Sequence, residues 1–245
     1  RDRRVGDILT DVAPEDLAPD EVATMLAVGS AEEKLAAAKS CRRALSQEHQ
    51  LPTFDLFINI GAVPRLVAAL EDRDSSEALL YECAWALANM ASSESRYTAA
   101  IMEAGAGPPL IRLMEHKRER VAQCSMWTLA NIAGDSAPNR DALVQLGVVQ
   151  AVSIALDDFH KDIKDIQRKV LVNMLNQSSL SIVCPRNLCR LVANICRHKS
   201  DSYPFEQVVL LFPVVNDLIR DFPDDQCLAD LCRVLVYASD NDKRS

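Results

Sequence analysis

Two stretches, Cys83-Ala84-Trp85-Ala86-Leu87-Ala88-Asn89-Met90 and Ser125-Met126-Trp127-Thr128-Leu129-Ala130-Asn131-Ile132, carry a Trp-x-x-x-Asn pair about 42 residues apart. Residues four apart share one helix face. Each stretch therefore presents an indole and a carboxamide stacked one turn apart, and the chain's two tryptophans occupy these matched places. An extended peptide leaves its backbone N–H and C=O groups unpaired, and burying one so costs about 1–3 kcal/mol. An asparagine amide donates and accepts at once, so it holds such a strand whatever its side chains. An indole face packs the methylene stem of Lys or Arg and attracts its charge by about 0.5–2 kcal/mol. The chemistry these pairs offer is recognition of a stretched, cation-bearing segment. Taken singly, a helical Trp is usually core and an Asn a cap or solvated residue; repetition of both at one offset favours an open groove.

The elements that position these pairs follow from a second periodic signal. Gly61-Ala62-Val63-Pro64, Gly105-Ala106-Gly107-Pro108 and a weaker Gly147-Val148-Val149 recur at nearly the same step. Glycine closes one helix and proline opens the next. Between them Leu66, Val67 and Leu70, then Leu79, Leu80, Cys83, Ala84 and Leu87 keep helical spacing. Three helices per ~42 residues, none burying its face alone, predict an all-α helical solenoid.

The composition agrees. Apolar residues make up 49% of 245, enough for a sizeable core, while seven glycines and 5% aromatics suit helices better than nucleotide-binding loops. A net charge of -8 disfavours a primary grip on nucleic acid and favours basic partners, although a merely solvated acidic surface has the same charge. Eight cysteines form no C-x-x-C pair and sit in helical patterns, which predicts reduced, buried thiols. No zinc site is expected, since His198 beside Cys196 has no second such pair. Arg1-Asp2-Arg3-Arg4 is not followed by an apolar run, and the longest apolar stretch, Val208 to Val215, is far short of the ~20 residues that span a bilayer. A soluble protein without membrane insertion is expected. Phosphate loops, H-E-x-x-H and G-x-S-x-G are missing, so a non-enzyme without cofactors is predicted.

From about Glu32 onward the chain resembles the armadillo repeats of the importin alpha family. The resemblance rests on the two Trp-x-x-x-Asn helices, Asn131-Ile132-Ala133-Gly134-Asp135-Ser136 with Arg140-Asp141, the Gly-Ala-x-Pro turns, Asn194-Ile195-Cys196-Arg197-His198-Lys199, Pro204-Phe205-Glu206-Gln207-Val208 and Asp230 through Asp240. It implies a right-handed armadillo superhelix, here about four repeats and the start of a fifth where relatives carry about ten. It also implies a groove that binds basic nuclear localisation signals, lined here by Trp85, Asn89, Thr98, Trp127, Asn131, Gly134, Asp135, Asn187, Asn194, Asp230 and Tyr237. In the family the aspartate matching Asp135 pairs with the signal's key lysine, aided by the threonine matching Thr98; Asp135 alone also reads as a cap for the next helix.

Departures from the family pattern shape the expectation. Arg190 and Arg233 stand where the pattern has tryptophan, and arginines lining a groove for cations repel a basic ligand. A shortened site around Trp85, Asn89, Trp127, Asn131 and Asp135 is predicted, or else a preference for ligands with an acidic flank. The resemblance implies an adaptor in protein import, found in cytoplasm and nucleus, with Lys/Arg-rich cargo proteins as partners; a non-import armadillo scaffold is the alternative. Importin beta is an expected partner only if a basic arm precedes the chain, since Arg1, Arg3 and Arg4 are all that stands there. Residues 1–31 read as a mixed N-terminal segment, with a first helix and a remnant of that arm, and 32–245 as the repeat domain. The step from Asn131 to Asn194 is about 63 residues, which places a helical insertion near 157–177.

Overall fold

The computed structural model describes residues 17–46, 51–158, 183–197, 205–222 and 224–239. These form α-helices and one 3₁₀ turn, and no strand occurs among the described residues. The chain divides into two compact units, up to Ile132 and from Ala133.

The first unit opens with a helix pair, α1 (Pro19–Val28) and α2 (Ala31–Ser46). Ser30 and Glu33 start α2 reciprocally: the Ser30 N–H donates to the Glu33 carboxylate at 2.7 Å and the Glu33 N–H to the Ser30 hydroxyl at 3.3 Å. Two triplets follow in the rhythm the sequence set: α3 (Leu51–Asn59), α4 (Ala62–Glu71) and α5 (Glu77–Ala91), then α6 (Ser95–Glu103), α7 (Gly107–Leu113) and α8 (Glu119–Asp135), whose last turn crosses into the second unit. Gly61 and Gly105 turn between the first two helices of each triplet with φ of 68° and 82°, a region that L side chains avoid and glycine enters freely. Ser76 caps α5 by accepting from the Leu79 N–H at 3.2 Å.

Within this unit α2 packs on α5 and α1 on α4. The core is continuous through Val63, Leu66, Leu70, Leu87, Ile101, Leu110 and Leu129, each 2% exposed or less. Thr128 on α8 sits against α5: its one hydroxyl hydrogen is shared between the Cys124 carbonyl of its own helix at 2.8 Å and the Ala84 carbonyl of α5 at 3.1 Å. Among the described residues no single helix is long and apolar enough to cross a membrane; α3 and α4 pass that test only jointly, across a 70° bend, and Phe54, Phe57, Val63, Val67 and Leu70 between them are buried.

The second unit contains α9 (Ala137–Gln145), a helix α10 over residues 148–158, α11 (Val183–Arg197), α12 (Phe205–Val208) with the 3₁₀ turn Val209–Leu211, α13 (Phe212–Asp221) and α14 (Asp225–Ser239). Gly147 makes the turn between α9 and α10 with φ 90°. Long helices α11 and α14 pack together. Asp224 secures that pair twice over: it accepts from the Cys227 N–H at 3.0 Å, capping α14, and from two Arg186 nitrogens on α11 at 3.2 and 2.7 Å. The guanidinium holds the Asp224 carboxyl down at about 2.

Among the described residues an opening pair is followed by four sets of three helices, the all-α repeat array that the sequence pattern predicts. Apart from residues 157 and 158 at the end of α10, the expected insertion lies outside the described residues, as do Arg1, Arg3 and Arg4. Cys41, Cys83, Cys124, Cys189, Cys196 and Cys227 are free and buried; Cys232 is free and exposed. Burial pushes the Cys41 and Cys124 thiols up to about 12, which keeps them protonated and unreactive.

Candidate peptide groove

The third helix of each triplet carries the paired residues, and the structure shows what each asparagine does at rest. Asn89 on α5 donates to the Ser46 hydroxyl at 2.8 Å and, at the limit of hydrogen-bond length, to the Arg42 carbonyl on α2 at 3.5 Å. Asn131 on α8 donates to the Ala88 carbonyl on α5 at 3.3 Å. In the second unit Asn194 on α11 lies across Gly134: a methyl built on that glycine would come within 2.6 Å of the Asn194 amide nitrogen. Each amide thus reaches back to the end of the preceding long helix. Among the described residues the Asn131 amide oxygen has no partner, so it can accept an N–H from a ligand while its nitrogen keeps the helices joined.

Trp85 and Trp127 are both half-buried, with part of each indole open to solvent rather than enclosed between layers. Their surroundings differ. The Arg42 guanidinium lies over the Trp85 ring, 4.6 Å from its centroid, and Arg42 is also ion-paired with Glu82, one turn before Trp85. The Tyr81 ring meets Trp85 edge-on with centroids 5.3 Å apart. Among the described residues no cation or ring stacks on Trp127. Arg42 and Glu82 do not figure in the sequence reading; the signal available was an arginine one repeat before a tryptophan and a glutamate three residues before it.

The remaining predicted site residues have mixed placements. Thr98 on α6 is 0% exposed and its hydroxyl is buried without a hydrogen-bond partner, so no ligand reaches it in this structure. Asp135 is half-buried and accepts from the Asn139 side-chain N–H at 3.2 Å. It is Ser136 that caps α9, accepting from the Asn139 backbone N–H at 3.4 Å, which leaves the Asp135 carboxylate out of the cap. Asn187 is 7% and Asp230 4% exposed. Asp230 is ion-paired with Arg233, whose side chain is 59% exposed. Arg190 and Tyr237 are half-buried.

Gly134 gives a test that separates positioning from stability. Gly134→Ala adds a better helix former, and what it pushes aside is the amide end of the half-buried Asn194 side chain rather than backbone. The melting temperature is expected to stay level or rise slightly, while affinity for a basic peptide falls by the same factor as in Asn194→Ala. Titration of both variants checks this; unchanged affinity in Gly134→Ala would show that the Asn194 amide takes no part.

Comparison with known proteins agrees with this architecture. The armadillo/beta-catenin-like repeat model matches residues 58–92 and the HEAT-like repeat model residues 77–132. Importin subunit alpha-1b of Oryza sativa subsp. japonica is 34% identical over 86% of the chain, and importin subunit alpha-2 of Arabidopsis thaliana 33% over 86%. Importin subunit alpha-2 of Caenorhabditis elegans is 30% identical over 91%. The chain spans 35–38% of the length of these relatives. Among solved structures, a designed armadillo repeat protein in complex with the peptide (KR)4 superposes with a TM-score of 0.71 at 21% identity, over 89% of this chain and 81% of that one. A computationally designed armadillo protein for modular peptide recognition gives 0.70 at 19% identity with the same coverage. The chain is an armadillo-repeat protein homologous to the importin alpha subunits, divergent from those it matches and aligned to 35–38% of their length.

Proposed function

We propose that the chain binds Lys/Arg-rich segments of the nuclear-localisation-signal type in an extended conformation along its long helices, and that it acts as a non-catalytic adaptor in protein import between cytoplasm and nucleus. The observation that supports this most directly is the pair α5 and α8, joined by Asn131, with Trp127 half-buried and carrying no described cation or ring, and the Asn131 amide oxygen available. Asparagine then sets the register of the bound backbone, and tryptophan selects long cationic side chains. Asp135, half-buried in the last turn of α8 and accepting from the Asn139 amide, supplies an anion for a lysine ammonium. The acidic surface draws such ligands in at long range, an effect that salt weakens.

A scaffold that binds partner segments without ferrying them is the second reading, favoured by Arg190 and Arg233 at the aromatic positions of α11 and α14. An anisotropy titration with a labelled Lys-Lys-x-Lys peptide tests the proposal. Saturable binding that weakens with salt is expected, with none for the same peptide carrying glutamates. Lack of binding by the basic peptide would refute it, and preference for a peptide with an acidic flank would move the reading to the scaffold.

A further inference from the structure

Of the two tryptophan slots, one is already filled by the protein itself. Arg42 reaches from α2 to lie over Trp85 at 4.6 Å and to pair with the Glu82 carboxylate. These are the two interactions, cation–π and ion pair, that a ligand's arginine would make on α5. The Arg42 side chain is 21% exposed and that of Glu82 9%, so the pair is largely withdrawn from water, and pulling one partner away leaves the other charge enclosed without compensation. Tyr81 closes against the indole edge-on, and both hydrogens of the Asn89 amide nitrogen are directed at α2. At the next step along the ladder the amide still reaches back, from Asn131 to α5, but the cation does not recur: Ala84 and Cys124 stand one repeat on from Arg42 and Glu82, and no described cation covers Trp127.

We propose that Arg42 is the resident cation of the Trp85 slot and thereby a specificity-determining residue: it holds that slot against lysines and arginines of a ligand and confines cation reading in the first unit to Trp127. This rests on the peptide-binding reading above and assigns its footprint. A ligand that reaches Trp85 must either displace Arg42, breaking the pair with Glu82, or pass the slot with an uncharged residue. Removing Arg42 exposes the indole face and frees the Glu82 carboxylate, which together make a new cation site of the same geometry.

Two measurements test this. In peptide titrations, Arg42→Ala is expected to bind Lys-Lys-x-Lys about fivefold more tightly than the unaltered chain, and Trp85→Ala added to it is expected to abolish the gain. Equal or weaker binding by a folded Arg42→Ala would overturn the assignment. Because Glu82 is left enclosed without its arginine, Arg42→Ala/Glu82→Gln is measured alongside: a smaller gain is expected, and no gain counts against the proposal. The second measurement needs no peptide. Methylguanidinium chloride at tens of millimolar should raise the melting temperature of Arg42→Ala above its value in equal sodium chloride, and leave the unaltered chain unmoved. No difference between the two salts in Arg42→Ala would overturn the resident-cation assignment even if the peptide binds, whereas a peptide that binds no variant while methylguanidinium still protects would remove the ligand reading alone.

Discussion

Trp127→Ala is expected to lower affinity for a Lys-Lys-x-Lys peptide by about ten- to a hundredfold. Cation–π attraction contributes about 0.5–2 kcal/mol, and the methylene stem packed on the indole adds roughly 0.8 kcal/mol per buried CH₂. Together these reach about 1.5–3 kcal/mol, and each 1.4 kcal/mol is tenfold in Kd. The indole is half-buried, so its removal also trims packing, and binding is to be measured by anisotropy at a temperature where both chains are folded by circular dichroism. Trp85→Ala serves as the internal contrast. With Arg42 already over its ring, the loss expected there is under about threefold. Asp135→Ala should cost about tenfold, and the cost should shrink at high salt because it is one of charge. If Trp127→Ala and Asp135→Ala both bind as the unaltered chain does, the groove reading is wrong.

The second large effect is on stability. Arg140 on α9 is 0% exposed, and its Nε donates to the Asp141 carboxylate at 2.6 Å. An enclosed guanidinium deprived of this carboxylate retains the desolvation cost of the charge and loses one of the attractions that offset it. Asp141→Ala is therefore expected to destabilise the fold, by up to about 3–5 kcal/mol. Replacing both partners with apolar groups removes the charge that needed compensation, so Arg140→Met/Asp141→Ala should recover at least half of the loss. Urea unfolding followed by circular dichroism measures both. A loss below about 1 kcal/mol in Asp141→Ala would mean that the ion pair is not what keeps Arg140 inside.

The repeat architecture was legible in the chain because its signals are local. Glycines at 61, 105 and 147 need a positive φ wherever they sit in space, and the apolar spacing of Leu66, Val67 and Leu70 fixes a buried face without reference to any neighbour. The Trp and Asn pairs were legible for the same reason. What covers them was not. Arg42 comes from one repeat earlier, and Thr98 is enclosed by helices packed on α6; periodicity assigns a side chain to a face of its own helix but says nothing about what the adjoining helices lay on it. Asp135 illustrates the same limit in the other direction. Its sequence position before Ala137-Pro138 fits a cap, yet Ser136 takes that place, because an N-cap needs its oxygen within reach of the N–H three residues on, and the serine hydroxyl meets that requirement at Asn139.

The amide links between consecutive long helices also bear on how far these repeats are interchangeable modules. Asn89 fastens onto a hydroxyl, Asn131 onto a bare carbonyl, and Asn194 rests on a residue with no side chain at all. A block excised from this array and spliced behind a foreign one would carry its own hook but not the matching eyelet, and recombinants that ignore the upstream junction should assemble with slack at the seam.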